Sequence, residues 1–214
     1  MNQGAVLSAV AACDPEIAKR RFDQQFSAQI STLRHCDCPR AITKALEKKR
    51  SQVITRAAGM TFLGSKRIFF SSIIPASQLS IPEQMLMVHN NDIPGCTFIS
   101  PKDITDTVET PTREPYFIFG IDDGAKTLGW APQQAERAFS KQPRRRGLSC
   151  VEAIGLCRIS DILSRFNIDA IASRVKKTKI PFLWVVGKEP RLGADNINTS
   201  APKWGVPSCN TIIV

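Results

Sequence analysis

Residues 168–186 read IDAIASRVKKTKIPFLWVV and contain a clear strand pattern. Its two ends, 168–173 and 181–186, are apolar and contain β-branched and aromatic residues, which is typical of strands. The tract between them is short and basic, so the two strands are predicted to form an antiparallel hairpin. The continuous apolar run from Phe182 to Val186 indicates a central strand that is covered on both faces.

A second hairpin is predicted further towards the N-terminus. Residues 116–121 are almost wholly apolar, Asp123-Gly124 follows, and residues 127–130 come next. An Asp-Gly pair between two apolar runs favours a tight hairpin turn, because glycine tolerates the positive φ that such a turn needs. Residues 67–74 supply a further predicted strand. Since strands come as hairpins rather than as repeated strand–helix–strand units, the sequence predicts an α+β fold with a largely antiparallel sheet.

Helices are predicted mainly before this sheet. Phe22, Phe26, Ile30 and Leu33 recur at helical spacing, and a second helix is predicted over 39–58. Residues 15–58 are therefore interpreted as a helical pair joined by 35–38, beside a sheet-containing core over 60–214, all within one domain of residues 1–214. The other predicted helices lie at 80–88, 132–140 and 161–166, and a further helix begins at Ser149, which has the capping-box spacing with Glu152. Connecting loops are predicted at 89–115 and 187–193, and an edge strand at 212–214.

Composition narrows the class of protein. The chain has 214 residues, of which 43% are hydrophobic and 22% charged, as in ordinary globular domains. No apolar run approaches the roughly 20 residues that a membrane-spanning helix needs. Seven cysteines without regular spacing favour reduced thiols in a cytoplasmic protein over a secreted disulfide framework. The sequence before Cys13 resembles a bacterial lipoprotein cleavage site, but no basic residue precedes it.

The charge is strongly positive and unevenly placed. The formal net charge is +10, and residues 141–214 alone hold 13 basic and 5 acidic side chains. Such a surplus attracts anionic partners such as nucleic acid or another polyanion. The alternative interpretation is a surface charge that only keeps the protein in solution.

Two basic clusters are the candidate anion-binding residues. Their members are Arg144, Arg145 and Arg146, directly before a predicted helix, and Lys176, Lys177 and Lys179, at the tip of the 168–186 hairpin. Guanidinium groups fit phosphates with two hydrogen bonds, and free amides at a helix start also favour anions. If the fold brings the two clusters together, a phosphate-binding face results. Aromatic residues are only 7% of the chain, and no platform for stacking bases is evident.

The sequence offers weaker candidates for other kinds of site. His35, Cys36, Asp37 and Cys38, with His89 and Cys96, lack the paired spacing of structural zinc, so no metal and no cofactor is predicted. An enzyme of unknown reaction would use Cys209, in a turn-rich segment, or the loop carboxylates Asp122 and Asp123. A third alternative is a protein–protein interaction or assembly component. The favoured interpretation is a non-enzymatic module that binds an anionic partner.

Short motifs in a fixed order also mark a family. They are Pro115-Tyr116, Ile121-Asp122, Thr127-Leu128, Arg146-Gly147-Leu148-Ser149, Ile180-Pro181, Leu192-Gly193 and Ser208-Cys209, with Phe22-Asp23-Gln24-Gln25 near the start. In these motifs the chain resembles a family of uncharacterised bacterial proteins that has no assigned activity. It departs from that pattern at Ala194, where an aromatic residue is expected, and in its more basic hairpin tip. The resemblance implies a compact bacterial domain and supplies no catalytic residue.

Overall fold

A computed structural model describes residues 15–60, 68–211 and 213–214. Within these residues the chain is a mixed α+β protein with antiparallel sheets, as the sequence predicts. Its helices are α1 (Pro15–His35), α2 (Arg40–Lys48), α3 (Arg50–Ala58), α4 (Ile81–Leu86), α5 (Pro132–Phe139), α6 (Cys150–Arg158) and α7 (Ile162–Arg165). Its strands are β1 (Phe70–Ile73), β2 (His89–Asn90), β3 (Ile93–Pro94), β4 (Cys96–Thr97), β5 (Ile104–Asp106), β6 (Tyr116–Phe119), β7 (Arg145–Gly147), β8 (Asn167–Asp169), β9 (Ser173–Val175), β10 (Lys179–Val186), β11 (Glu189–Asn196), β12 (Trp204–Gly205) and β13 (Ser208–Asn210).

The N-terminal helices form the predicted pair with one change. The apolar stripe of α1 is buried, and Phe26 stacks on Phe117 of β6 with ring centroids 5.4 Å apart. The predicted second helix is divided into α2 and α3 at Lys49, whose ψ of −2° tightens the backbone while its amide still bonds the Leu46 carbonyl. Asp14 before Pro15 has the pattern of a helix cap, but Asp14 lies outside the described residues.

The strand β6 has a different partner from the predicted one. It pairs antiparallel with β1, with Phe70 opposite Phe119 and Ile73 opposite Tyr116. The prediction of a hairpin between residues 116–121 and 127–130 is wrong, because Gly124, at φ +93°, leads into a 3₁₀ turn over Ala125–Thr127. Burial of both faces of β6 comes instead from α1 on one side and α6 on the other.

The main sheet is built around the predicted 168–186 hairpin. Its order is β12-β8-β10-β11-β4, and β9 and β5 pair at one end of β10. The prediction of a loop at 187–193 is wrong, because β11 pairs with β10 along eight positions, from Lys179–Asn196 to Val186–Glu189. The predicted loop at 89–115 contains four short strands, two of which join this sheet. Two-residue and three-residue strands are too short to show a period of two.

The helix α6 lies in the centre of the core. All nine of its residues are buried, and Glu152 accepts the Ser149 amide at 2.8 Å, which is one half of the predicted capping box. Gly155 lets the helix approach β1, since a Cβ there would stand 2.7 Å from a methyl group of Ile73. In the part of the chain that the structure describes, no helix combines the length and apolarity required to cross a bilayer.

Candidate functional site

Arg146 is directed into the protein. Its two terminal nitrogens each lie 2.6 Å from an oxygen of Glu152, which is fully buried, and the Tyr116 hydroxyl donates to the same carboxylate at 3.2 Å. Burial by itself lowers the pKa of Arg146, but the hydrogen bonds to Glu152, together with electrostatic attraction from Cys209, Glu152 and Tyr116, outweigh it and the pKa is raised. Arg146 therefore neutralises a buried carboxylate and has no donor pair left for an external phosphate.

Arg145 is also engaged by protein acceptors. It donates to the Ser208 hydroxyl at 3.0 Å and to the Gly120 carbonyl at 3.1 Å, and its guanidinium lies 3.8 Å from Asp122. Of the three predicted arginines, only Arg144 is exposed, and it has no ion-pair partner among the described residues. The cluster thus presents one arginine to solvent.

The predicted helix start behind this cluster is occupied as well. The Ser149 amide is bonded to Glu152, and the Cys150 amide donates to the Ser173 hydroxyl at 2.8 Å. Amides that already have partners offer little to an external anion. These two amides at the start of α6 therefore bond within the protein and do not form an anion-binding site.

The lysine tip is presented to solvent. Lys176 and Lys177 form the β9–β10 turn with φ of +49° and +69°, and Lys179 is the first residue of β10. Lys176 has one weak partner, Asp103, at 3.6 Å, while its side chain stays 73% exposed. An exposed pair of this kind contributes little and leaves the ammonium able to reach a phosphate.

The two clusters do not line a common cavity. Arg144 lies on a cavity of about 930 Å³ beside α3, whereas Lys176 and Lys179 lie on one of about 390 Å³ against the main sheet. No residue lines both of these cavities. The prediction that the two clusters form one phosphate-binding face is therefore not supported. Arg144 and the lysines belong to two separate surfaces.

A row of aromatic rings crosses the main sheet beside the lysine tip. The order is Phe98, Trp184, Phe182, Trp204, with successive ring centroids 6.1, 4.5 and 4.6 Å apart. Phe98 is 63% exposed, and the other three side chains are half-buried. We call these four residues the aromatic row.

The strand pairing explains this row. Phe182 and Trp184 are two residues apart in β10 and share a face, while Leu183 between them is fully buried on the core side. β4 pairs with β11, and the amide of Phe98 bonds the Leu192 carbonyl at 2.8 Å, which holds Phe98 beside the sheet. β12 pairs with β8 and brings in Trp204 from the far side.

Positive charge lies beside the aromatic row. The guanidinium of Arg191 stands 5.2 Å from the centroid of Phe98, and its Nε donates to Glu189 at 2.7 Å. Lys176 and Lys179 line the same cavity as three of the four rings. The one carboxylate on that cavity, Asp103, is the partner of Lys176. The inner rings stack on one another, so the surface combines a short aromatic stack, exposed at the Phe98 end, with flanking cations.

A buried carboxyl lies next to the row. Asp169 of β8 is opposite Phe182 of β10, is 1% exposed, and has one carboxyl oxygen without a hydrogen-bond partner in the described structure. Burial, and then the charge of Asp195, raises the pKa of Asp169 to about 7. The sheet beneath the row therefore contains a group that titrates near neutral pH.

The residues predicted for an alternative enzyme are either buried or beside an arginine. Cys209 lies in β13 rather than in an exposed turn, and burial, followed by the charge of Glu152, raises its pKa to about 12. Asp123 is paired with Arg165 at 3.1 Å, and Asp122 lies near Arg145. A buried, protonated thiol is a poor nucleophile, and both carboxylates already have an arginine beside them.

One pair from the predicted metal ligands does meet. The sulfur of Cys36 lies 3.9 Å from Nδ1 of His89. Burial raises the pKa of the Cys36 thiol, which disfavours the thiolate that a metal would bind. Among the described residues no group of three or more potential ligands comes together, and none of their six cysteines is in a disulfide.

Comparison of the chain with protein-family models, with curated proteins and with solved structures found no match. The resemblance to an uncharacterised bacterial family therefore stays a prediction. The functional interpretation rests on the aromatic row and the charges beside it.

Proposed function

We propose that the protein is a non-enzymatic module that binds single-stranded nucleic acid on the main sheet. A base stacks on the exposed end of the aromatic row, at Phe98, and Lys176, Lys177 and Lys179 contact the backbone phosphates. The observation that carries this proposal is the aromatic row itself, because its end ring, Phe98, is 63% exposed, more than any other large hydrophobic side chain that the structure describes. It refines the expectation of an anionic partner by naming the chemistry that recognises it.

Stacking explains why aromatic rings lie on an outer face. Every base has a flat π-face, so rings on a sheet bind single strands with little dependence on sequence, at about 1–3 kcal/mol for each stacked base. Aromatic residues on a sheet also bind single-stranded RNA in this way in unrelated proteins. A double helix hides the faces of its bases, so the same surface discriminates against duplexes.

The lysine tip supplies the second part of the binding energy. Lys177 and Lys179 are exposed and have no ion-pair partner in the described structure, and Lys176 is weakly paired. Each phosphate that a lysine neutralises releases counterions, so affinity falls as salt rises, with a slope of about −0.7 for each contact with a single strand. A ligand with phosphates but no bases would use the lysines and leave the rings unused.

The test is fluorescence anisotropy with a labelled 15-nucleotide oligo(dT), the matching duplex, and inorganic polyphosphate of similar charge. We expect oligo(dT) to bind best at 50 mM salt and to change the tryptophan emission. The variant Phe98→Ala removes an exposed ring and should weaken oligo(dT) binding about fivefold or more. Ile17→Ala, which shortens a 49% exposed side chain on α1, is the matched control and should change nothing.

Three results would overturn the proposal. They are no binding of oligo(dT) at 50 mM salt, equal binding of the duplex and the single strand, or unchanged oligo(dT) affinity in Phe98→Ala. Equal affinity for polyphosphate and oligo(dT) would assign the lysines to a general polyanion partner and remove the role of the rings.

A further inference from the structure

A second open cavity lies between α3, the C-terminal residues and the segment before β7. Its volume is about 930 Å³, and it shares no lining residue with the aromatic cavity. Arg56 and Arg144 both line it, and both are exposed. The cavity is at the upper end of the range that encloses small-molecule ligands.

The two arginines are free to bind a ligand. Neither forms an ion pair with any residue that the structure describes, and no acidic side chain lines the cavity. The backbone of Arg144 is held in place although its side chain is free, because its carbonyl accepts the Thr211 amide at 2.9 Å and Arg145 is fixed by its own bonds. A fixed backbone reduces the entropy lost when the side chain engages an anion.

The remaining wall is mixed in polarity. Its polar side chains are Ser51, Gln52, Thr55 and Asn210, and its apolar side chains are Met60, Pro143, Ile213 and Val214. The cavity also adjoins the C-terminal end of α3, where the helix dipole is unfavourable to an anion, so the attraction of the two arginines has to exceed that effect.

We infer that this cavity binds a phosphorylated organic molecule of nucleotide size. Two guanidinium groups, each able to hold a phosphate with two hydrogen bonds, match a diphosphate better than a single carboxylate. The apolar part of the wall matches the uncharged ring of such a molecule. This site is independent of the single-strand surface, since its residues and its ligand are different.

Isothermal titration with ADP, pyrophosphate and adenosine tests the inference. We expect ADP to bind in the micromolar to millimolar range, pyrophosphate to bind more weakly, and adenosine to bind weakest. Arg56→Gln and Arg144→Gln should each weaken ADP binding at least tenfold, because each removes charge-assisted hydrogen bonds. Arg137→Gln, on the exposed side of α5 and on another cavity, is the matched control and should bind ADP normally.

The outcomes separate this site from the aromatic row. Phe98→Ala should leave ADP binding unchanged, and Arg144→Gln should leave oligo(dT) binding unchanged. No ADP binding at 5 mM, or equal affinity in both arginine variants and the wild type, would overturn the inference. Equal affinity for ADP and pyrophosphate would also overturn it, since the apolar wall would then have no role. Both arginines are exposed, so thermal melting of the variants should confirm an unchanged fold.

Discussion

The indole ring of Trp184 lies against the backbone of Gly193 on the neighbouring strand. A Cβ at position 193 would stand 2.8 Å from both Cη2 and Cζ3 of that ring. Side-chain atoms do not approach this closely, so glycine is what permits the edge of the ring to contact β11. The orientation of Trp184, and with it the spacing of the aromatic row, depends on one missing methyl group.

Replacing that glycine should therefore disturb binding more than folding. In Gly193→Ala the outer edge of Trp184 has to move, and a ring at the surface can move with a stability loss of about 1 kcal/mol or less. We expect oligo(dT) affinity to fall at least fivefold and the tryptophan emission to shift. Gly59→Ala is the control, because its Cβ would meet nothing closer than 3.6 Å. Unchanged affinity in Gly193→Ala would show that the ring is not part of the binding surface.

The lysine tip should govern the salt dependence. Replacing Lys177 and Lys179 together by glutamine should flatten the slope of log affinity against log salt by about 1.4, if each lysine contacts one phosphate. Lys44→Gln with Lys48→Gln, on the exposed side of α2, removes the same charge elsewhere. Equal changes in slope for both pairs would mean that only net charge matters, and measurements between 50 and 200 mM salt distinguish the two results.

The sequence predicts elements with a clear period or cap better than it predicts their partners. The stripe of Phe22, Phe26, Ile30 and Leu33 and the Ser149–Glu152 spacing correctly locate α1 and α6. The Asp123-Gly124 pair predicts the wrong structure, because the same φ that suits a hairpin also suits the start of a 3₁₀ turn. Local chemistry therefore determines that the chain turns at Gly124, but it does not determine which element the next residues form.

The sequence does not predict the aromatic row, for a related reason. Only Phe182 and Trp184 show the two-residue spacing of a shared face, and the apolar Leu183 and Val185 beside them conceal it. Phe98 and Trp204 are brought to the sheet by two-residue strands that carry no sequence signal. The basic clusters are visible in the sequence, but the buried Glu152 that engages Arg146 is 6 positions away and becomes apparent only in the fold.

The pair formed by Arg146 and Glu152 should be essential to stability. Arg146→Met leaves Glu152 buried without its partner, which typically costs about 3–5 kcal/mol. In a domain of this size that corresponds to a fall in melting temperature of about 10 °C. Arg34→Met breaks an exposed pair with Glu47 and should cost less than about 1 kcal/mol. Similar melting temperatures for the two variants would contradict a structural role for Arg146.

Asp169 should make the stability of the protein depend on pH. The ordinary pKa of its carboxyl is 3.8, and burial together with Asp195 raises the pKa in the folded state to about 7. Between these values the folded state binds more protons than the unfolded state, so the free energy of unfolding decreases as pH rises from about 4 to about 7 and stays lower above that. The full effect is roughly 4 kcal/mol at most.

Asp169→Asn should remove this dependence, because the amide cannot ionise. In urea titrations, we expect the free energy of unfolding to fall less between pH 4 and pH 8 in the variant than in the wild type. A difference that the amide introduces equally at every pH does not affect this comparison. Asp161→Asn replaces a carboxyl that is 73% exposed and should keep the wild-type slope. Parallel curves for Asp169→Asn and the wild type would show that Asp169 does not titrate in this range. Because Asp169 lies opposite Phe182, a loss of slope would also place a proton-binding group directly beneath the aromatic row.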